Sequence, residues 1–367
     1  MIKRNSFVVF ALLSALISYA SMARAEGKPF VLANSIVHKV ESFIVPNQIY
    51  DVQIALPSDY QSSPDKEYPI VVVLDGQWNF TLVAAITGSL AFDGMMPEAI
   101  TVGITWGGEG DDPGLLRQRD FVRPEVPYIQ GSGGASQFLS ALTEELIPFV
   151  ESRYRVGEKR VLLGASLGGL FTSYAMVENP GYFDGYIALA SSYSVDAPYL
   201  EEKLNALSGT RALKGVRSFM GVGELGGNLA AVEAASGLVR SLKLKGLRHK
   251  LKVFRGLGHS GVGSVAYTYG LQYVFKRPAL KLSEEFLQQY AGDYSGGFEG
   301  QPPFPFSVSV TDVGKITLSD GYQTFEYLAE SETKFYVNGT DFSLEFFDDD
   351  RFVLNLQGAE LSFNRVE

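Results

Sequence analysis

Cysteine is absent from the 367 residues, and histidine occurs only at His38, His249 and His259. Thiolate zinc sites, iron–sulfur clusters and disulfide frameworks therefore lack ligands, and no cofactor or metal is expected. Basic stretches are scarce too: 31 Lys and Arg stand against 41 Asp and Glu, a net charge of −10 that repels a phosphate backbone. Nucleic acid is not an expected partner. The apolar run Phe7 to Tyr19 is shorter than the ~20 residues a membrane-spanning helix needs. What is present is 46% apolar and 20% charged residues, enough to bury a sizeable core.

Lys3 and Arg4 precede that apolar run, and Ala23-Arg24-Ala25 after it offers the small residues of a cleavage site. Residues 1–25 read as a signal peptide, with an uncleaved anchor as the alternative. The mature chain is then expected in the periplasm or secreted, with no stable membrane insertion. No cysteine follows the run to carry a lipid.

From residue 26 to 278 short apolar runs alternate with helical patterns. The runs are Ile70 to Leu74, Ala99 to Ile104, Arg160 to Leu163, Tyr186 to Ala190, Ser218 to Val222 and Leu251 to Phe254. They read as doubly buried strands of a mostly parallel sheet with helices on both faces. Helical spacing recurs over 136–153, 168–179 and 228–245, and Val52 to Leu56 alternates as an antiparallel strand would. After Lys276-Arg277-Pro278 the pattern changes. Residues 282–367 begin with a helical stretch at 283–290. Segments of period two follow, at Phe306 to Val310, Phe342 to Phe346 and Phe352 to Leu356, which predict a small antiparallel β domain.

Gly164-Ala165-Ser166-Leu167-Gly168 stands between a strand pattern and a helix pattern, the setting of a nucleophile elbow. A strained turn lifts the serine hydroxyl while the next helix aims its free N–H groups at the same place, and glycines fit where side chains would crowd. A hydroxyl needs a base, and imidazole serves near neutral pH. His38 lies ahead of the sheet and His249 sits between Arg248 and Lys250, reading as a solvated surface residue. His259, in the glycine-rich stretch 256–261 after the last strand, is the expected base. The orienting acid should follow a late strand, which selects Glu224 over Asp184 and Asp196. Leu167 supplies one oxyanion amide, and Gly76 lets the chain turn so that Gln77 supplies the other.

Together with Tyr68 to Gly76, Arg117-Gln118-Arg119-Asp120-Phe121, Glu144 to Val150, Gly164 to Leu170 and Tyr269 to Phe275, these residues resemble the esterase branch of the α/β hydrolases. That branch includes siderophore esterases, esterase D and feruloyl esterases, and mycolyltransferases. The resemblance spans roughly Val45 to Phe275. It implies a serine esterase with Ser166 as nucleophile, His259 as base and Glu224 as acid, acting on small or aromatic acyl esters or siderophore lactones, and the signal peptide makes it an exported one. A small-molecule ester is the expected partner. Acyl transfer from the same acyl-enzyme, or a non-catalytic binding role, are the alternatives. Ala165 and Ser191-Ser192-Tyr193-Ser194 depart from the usual pattern beside the pocket. Trp78, Trp106, Phe121 and Tyr193 are expected to wall that pocket. Arg119 is expected to meet an anionic substrate group or to pair with Asp120. The C-terminal part resembles lipocalin-like modules appended to exported hydrolases. Its aromatic residues Phe304, Phe306, Tyr322, Phe325, Tyr327, Phe335 and Phe346 are expected to fill a β core.

Overall fold

The computed structural model describes residues 31–311, 313–348, 350–356 and 359–366. The proposed signal peptide lies outside them. Asn34–Glu367 forms one compact unit.

Eight strands make the main sheet: β1 (Ser35–Ser42), β2 (Gln48–Ala55), β3 (Tyr68–Val73), β4 (Ile100–Trp106), β5 (Val156–Ala165), β6 (Gly185–Leu189), β7 (Arg217–Gly223) and β8 (Arg248–Phe254). Their order is β1-β2-β4-β3-β5-β6-β7-β8. β1 and β2 run antiparallel, and β3 to β8 are mutually parallel. All seven residues of β4 and all five of β6 are buried, which is why these strands carry no polar alternation. The helices are α1 (Gly76–Phe92), α2 (Pro113–Phe121), α3 (Ala135–Ala141), α4 (Ile147–Glu151), α5 (Leu167–Glu178), α6 (Ala197–Leu207), α7 (Leu229–Ser241) and α8 (Val262–Val274). A π-turn over Leu142–Leu146 joins α3 to α4, so the long helical pattern at 136–153 is one interrupted helix. Sequence periodicity did not single out α1 or α6. α1 is apolar nearly all round, so no polar face marks its period.

Because β4 lies on one side of β3 and β5 on the other, the chain reverses its direction of travel across the sheet between β3 and β5. Ligands of open α/β sheets bind at the carboxyl edge of such a switch point.

His38 lies within edge strand β1 rather than ahead of the sheet, and its Nε2 is 2.7 Å from the Tyr154 hydroxyl. His249 also departs from expectation. Placed on β8, it is tucked under α7, with Nε2 2.8 Å from the Ser236 hydroxyl and Nδ1 3.3 Å from that of Ser218.

After α8 come a four-residue helix, α9 (Glu284–Leu287), and a 3₁₀ turn (Gln288–Tyr290), where the sequence suggested one longer helix. Ser283 caps α9 by accepting from the Phe286 amide at 3.1 Å. The strands β9 (Gly292–Gly297), β10 (Phe304–Val310), β11 (Ile316–Ser319), β12 (Thr324–Ala329), β13 (Lys334–Tyr336), β14 (Ser343–Asp348), β15 (Arg351–Leu356) and β16 (Ala359–Arg365) close into an antiparallel barrel. Of the aromatics expected inside, Tyr327, Phe335 and Phe346 are buried, whereas Tyr322 is 97% exposed on the β11–β12 turn. The barrel docks at the amino-terminal edge of the sheet. There Arg277 pairs with Glu330 at 2.6 Å and lies over the Tyr336 ring, and the Leu280 amide donates to the Ala329 carbonyl at 2.8 Å. Among the described residues no helix is long and apolar enough to cross a membrane.

Burial, then the nearby Arg240 charge, holds the His249 imidazole down to about 4 from its ordinary 6.5. Between those two values the unfolded chain takes up a proton that the folded chain refuses. This contribution is therefore complete above pH 6.5 and is lost as pH falls toward 4. A His249→Asn variant should lose about 3 kcal/mol of the pH dependence of unfolding across that window. Urea melts of both proteins at several pH values check it.

Candidate active site

Val73 of β3 pairs with Leu163 of β5, so the turns that follow the two strands lie level at the carboxyl edge. Both turns enter helices through residues with left-handed φ: Asp75 (φ 54°) before α1 and Ser166 (φ 58°) before α5. Such a φ is costly for a residue with a Cβ and persists only where surrounding bonds enforce it. Around Ser166 they do. Its N–H donates to Leu189 O at 2.8 Å, and its carbonyl accepts from the Leu170 and Ser192 amides at 3.0 and 3.1 Å. A side chain at Gly164 would strike the Gly168 carbonyl, so the first and last residues of the motif leave each other room. One at Gly76 would meet the Gln53 side chain and the backbone of β4.

Neither N-cap side chain caps its helix. The Asp75 carboxylate turns away to take both arms of Arg117, at 2.9 Å each, and is 2% exposed. Burial pushes the Asp75 carboxyl up and the Arg117 guanidinium opposes the shift. The Ser166 hydroxyl is partly exposed, 3.3 Å from the Ser192 hydroxyl. The first-turn amides Gln77 N–H and Leu167 N–H make no hydrogen bond to any described residue. Free donors thus open at the positive ends of two helices whose entry turns lie level at the carboxyl edge, an arrangement suited to holding a negative oxygen.

The remaining candidates lie on the same edge. Glu224 follows β7, and its N–H donates to Phe254 O at 3.0 Å. The Leu225 amide donates to Leu257 O at 3.0 Å, and the Glu224 carboxylate accepts from the Gly256 amide at 3.0 Å. These bonds clip the turn after β7 to the loop that carries His259. A Cβ added at Gly226 would lie 3.6 Å from the His259 backbone. His259 itself is exposed and hydrogen-bonds neither Ser166 nor Glu224. The backbone thus gathers the three loops, while the side chains stand unlinked.

The expected pocket wall is different. Trp106 is 6% exposed and donates from Nε1 to Asp120 at 2.7 Å. Phe121 is 1% exposed among Phe138, Phe171 and Trp106. Tyr193, also 1% exposed, bonds the Ser173 hydroxyl at 2.7 Å. These three belong to the core, because each fills space between a helix and the sheet. Arg119 is held by Asp120 at 2.6 Å and by Gln48 at 2.8 Å, the ion pair that was the second of its two expected roles. Trp78 alone of the expected set is exposed, at 59%, with the Arg117 guanidinium 5.6 Å from its ring. Nothing in the sequence singles out Arg117 or Ser192 as a neighbour of this site. The Arg-Gln-Arg-Asp pattern gave no sign of which arginine would turn toward Asp75.

The sheet order, the strained serine and the paired free amides define an α/β hydrolase. Residues 45–260 match the family described as "Putative esterase", more than half of the chain, and the protein belongs to that esterase family. Ferri-bacillibactin esterase BesA of Bacillus subtilis (strain 168) is 30% identical over 175 residues, covering 43% of this chain and 58% of that protein. The match thus spans only somewhat more than half of this relative. Among solved structures, a BES protein from Bacillus cereus superposes with a TM-score of 0.61 at 24% identity, covering 69% of this chain and 98% of the other. An IroE-like serine hydrolase from Shewanella oneidensis reaches 0.60 at 26% identity, covering 70% and 85%.

Arg117→Ala should cost about 3–5 kcal/mol of stability, because it strands a buried carboxylate beneath the elbow. Adding Asp75→Ala should restore most of that loss. Urea unfolding of the single and double variants checks both.

Proposed function

We propose that the protein is an exported serine esterase that forms an acyl-enzyme on Ser166. The carrying observation is the strained Ser166 at the amino end of α5, level with the turn that carries the unbonded Gln77 amide. In the proposed sequence Ser166 Oγ attacks the ester carbonyl carbon, and its proton passes to His259. The carbonyl oxygen, now negative, accepts from the two amides. Collapse expels the alcohol, which takes the proton from the imidazolium. A water then gives a proton to His259, attacks the acyl carbon and releases the acid, with Ser166 reprotonated.

Glu224 is assigned the orienting role. For that, its carboxylate must turn from the Gly256 amide toward His259, and His259 must swing toward Ser166. Both groups are exposed on short loops, and catalytic hydrogen bonds commonly tighten only once substrate is bound.

Small or aromatic acyl esters, including siderophore lactones, are the proposed substrates. The exposed Trp78 ring beside the Gln77 amide offers an aromatic acyl group a face to stack on. The matched Bacillus subtilis protein is named a ferri-bacillibactin esterase, and an Emericella nidulans relative a siderophore enterobactin esterase. Export rests on the basic, apolar and small-residue order of residues 1–25.

Ser166→Ala should lower kcat on a short-chain aryl ester by about 10⁴-fold or more, and His259→Ala should match it. Both are to be read by release of the aryl alcohol. A Ser166→Ala protein of undiminished activity would overturn the assignment.

A further inference from the structure

An eight-stranded barrel has an interior just wide enough to be filled by its own side chains or to hold one small guest. This barrel is filled at one end and hollow toward the other. Near the α9 end Tyr290 stacks on Phe346 at 4.0 Å, and Tyr294 and Phe363 pack against Phe352 at 4.9 and 5.0 Å, a closed aromatic plug. Toward the β11–β12 turn lies a cavity of about 240 Å³, walled among the described residues by Phe306, Leu318, Phe325, Phe342 and Leu356. Phe306, Phe325, Phe342 and Leu356 are only partly buried, so their apolar faces are left unsatisfied.

Tyr327 projects from β12 into the same space. The residue is 1% exposed, and a phenol hydroxyl in an otherwise apolar cavity offers a guest one hydrogen bond. Burial pushes this phenol up, so it is a neutral donor at physiological pH. At the rim Asp320 accepts from the Tyr322 and Gln323 amides at 2.8 and 2.7 Å, bonds that hold its carboxyl below the usual range. The described wall contains an anion at its mouth and no cation.

We propose that the barrel cavity is a binding site for a small, neutral, aromatic molecule bearing one hydrogen-bonding oxygen, which Tyr327 engages. An apolar cavity of roughly 150 Å³ already admits benzene, so this one has room for a bicyclic arene. Three phenylalanines favour a flat ring over a flexible chain. Asp320 disfavours a carboxylate. The site does not depend on the ester chemistry, since none of its residues is assigned to that machinery.

The test titrates the full chain with 2-naphthol, naphthalene and 2-naphthoate, followed by calorimetry and naphthol fluorescence. Support is saturable one-to-one binding of 2-naphthol, weakened about tenfold or more by the cavity-filling Leu356→Trp and, separately, Leu318→Phe. Tyr327→Phe should weaken 2-naphthol about fivefold and leave naphthalene unchanged. 2-Naphthoate should bind more weakly than 2-naphthol. Should a filling variant fail to fold by circular dichroism, the near-isosteric Tyr327→Phe decides. No saturable binding below about 1 mM, binding untouched by both filling variants, or a Tyr327→Phe protein that keeps full naphthol affinity would each overturn the proposal. Aryl-ester hydrolysis should be unchanged in all three variants.

Discussion

Two helix N-termini left uncapped side by side are the constraint on which this site depends. An N-cap side chain usually satisfies a first-turn amide and stabilises its helix by about 1 kcal/mol. Here Asp75 and Ser166 occupy the N-cap positions of α1 and α5, and neither side chain does so. The aspartate is drawn beneath the sheet edge by Arg117, and the serine is held pointing outward by bonds to its backbone. Local helix stability is surrendered, and two donors are left open beside a hydroxyl. The parallel register of β3 with β5 then makes the two openings neighbours. A third left-handed residue, Ala190 (φ 42°), ends the adjacent strand β6, so irregular backbone collects along this one edge.

The proposed acid and base are held less tightly. Backbone bonds fix the turn after β7 to the loop after β8, which places Glu224 and His259 on the correct edge without joining them. Ser166 is tied by three backbone bonds, to Leu189, Leu170 and Ser192, while the proposed base is the group that must carry a proton to two different oxygens in turn.

Much of this was legible in the sequence, for reasons that differ by element. The parallel strands announce themselves because burial on both faces demands unbroken apolar runs, as in Ile70 to Leu74. The elbow is readable because its glycines answer a local steric need that no distant contact can replace. The pocket wall was misplaced because aromatic identity does not say which way a ring points: Trp106 and Tyr193 look inward, Trp78 outward. Likewise Arg117 and Arg119 are two residues apart on α2, and only the packing of the helix separates a partner of Asp75 from a partner of Asp120. His249 was misread as solvated because its strand neighbours are cationic, although its own side chain alternates to the covered face.

The placement of the barrel bears on what the serine can reach. α1 begins at the Ser166 edge and runs 17 residues, about 25 Å, before the chain turns at Gly94 against Thr340 of the barrel. The appended module therefore hangs from the far rim of the sheet and casts no shadow on the catalytic face. Among the described residues, what borders the Ser166 edge is the set of turns that follow the parallel strands of the hydrolase sheet.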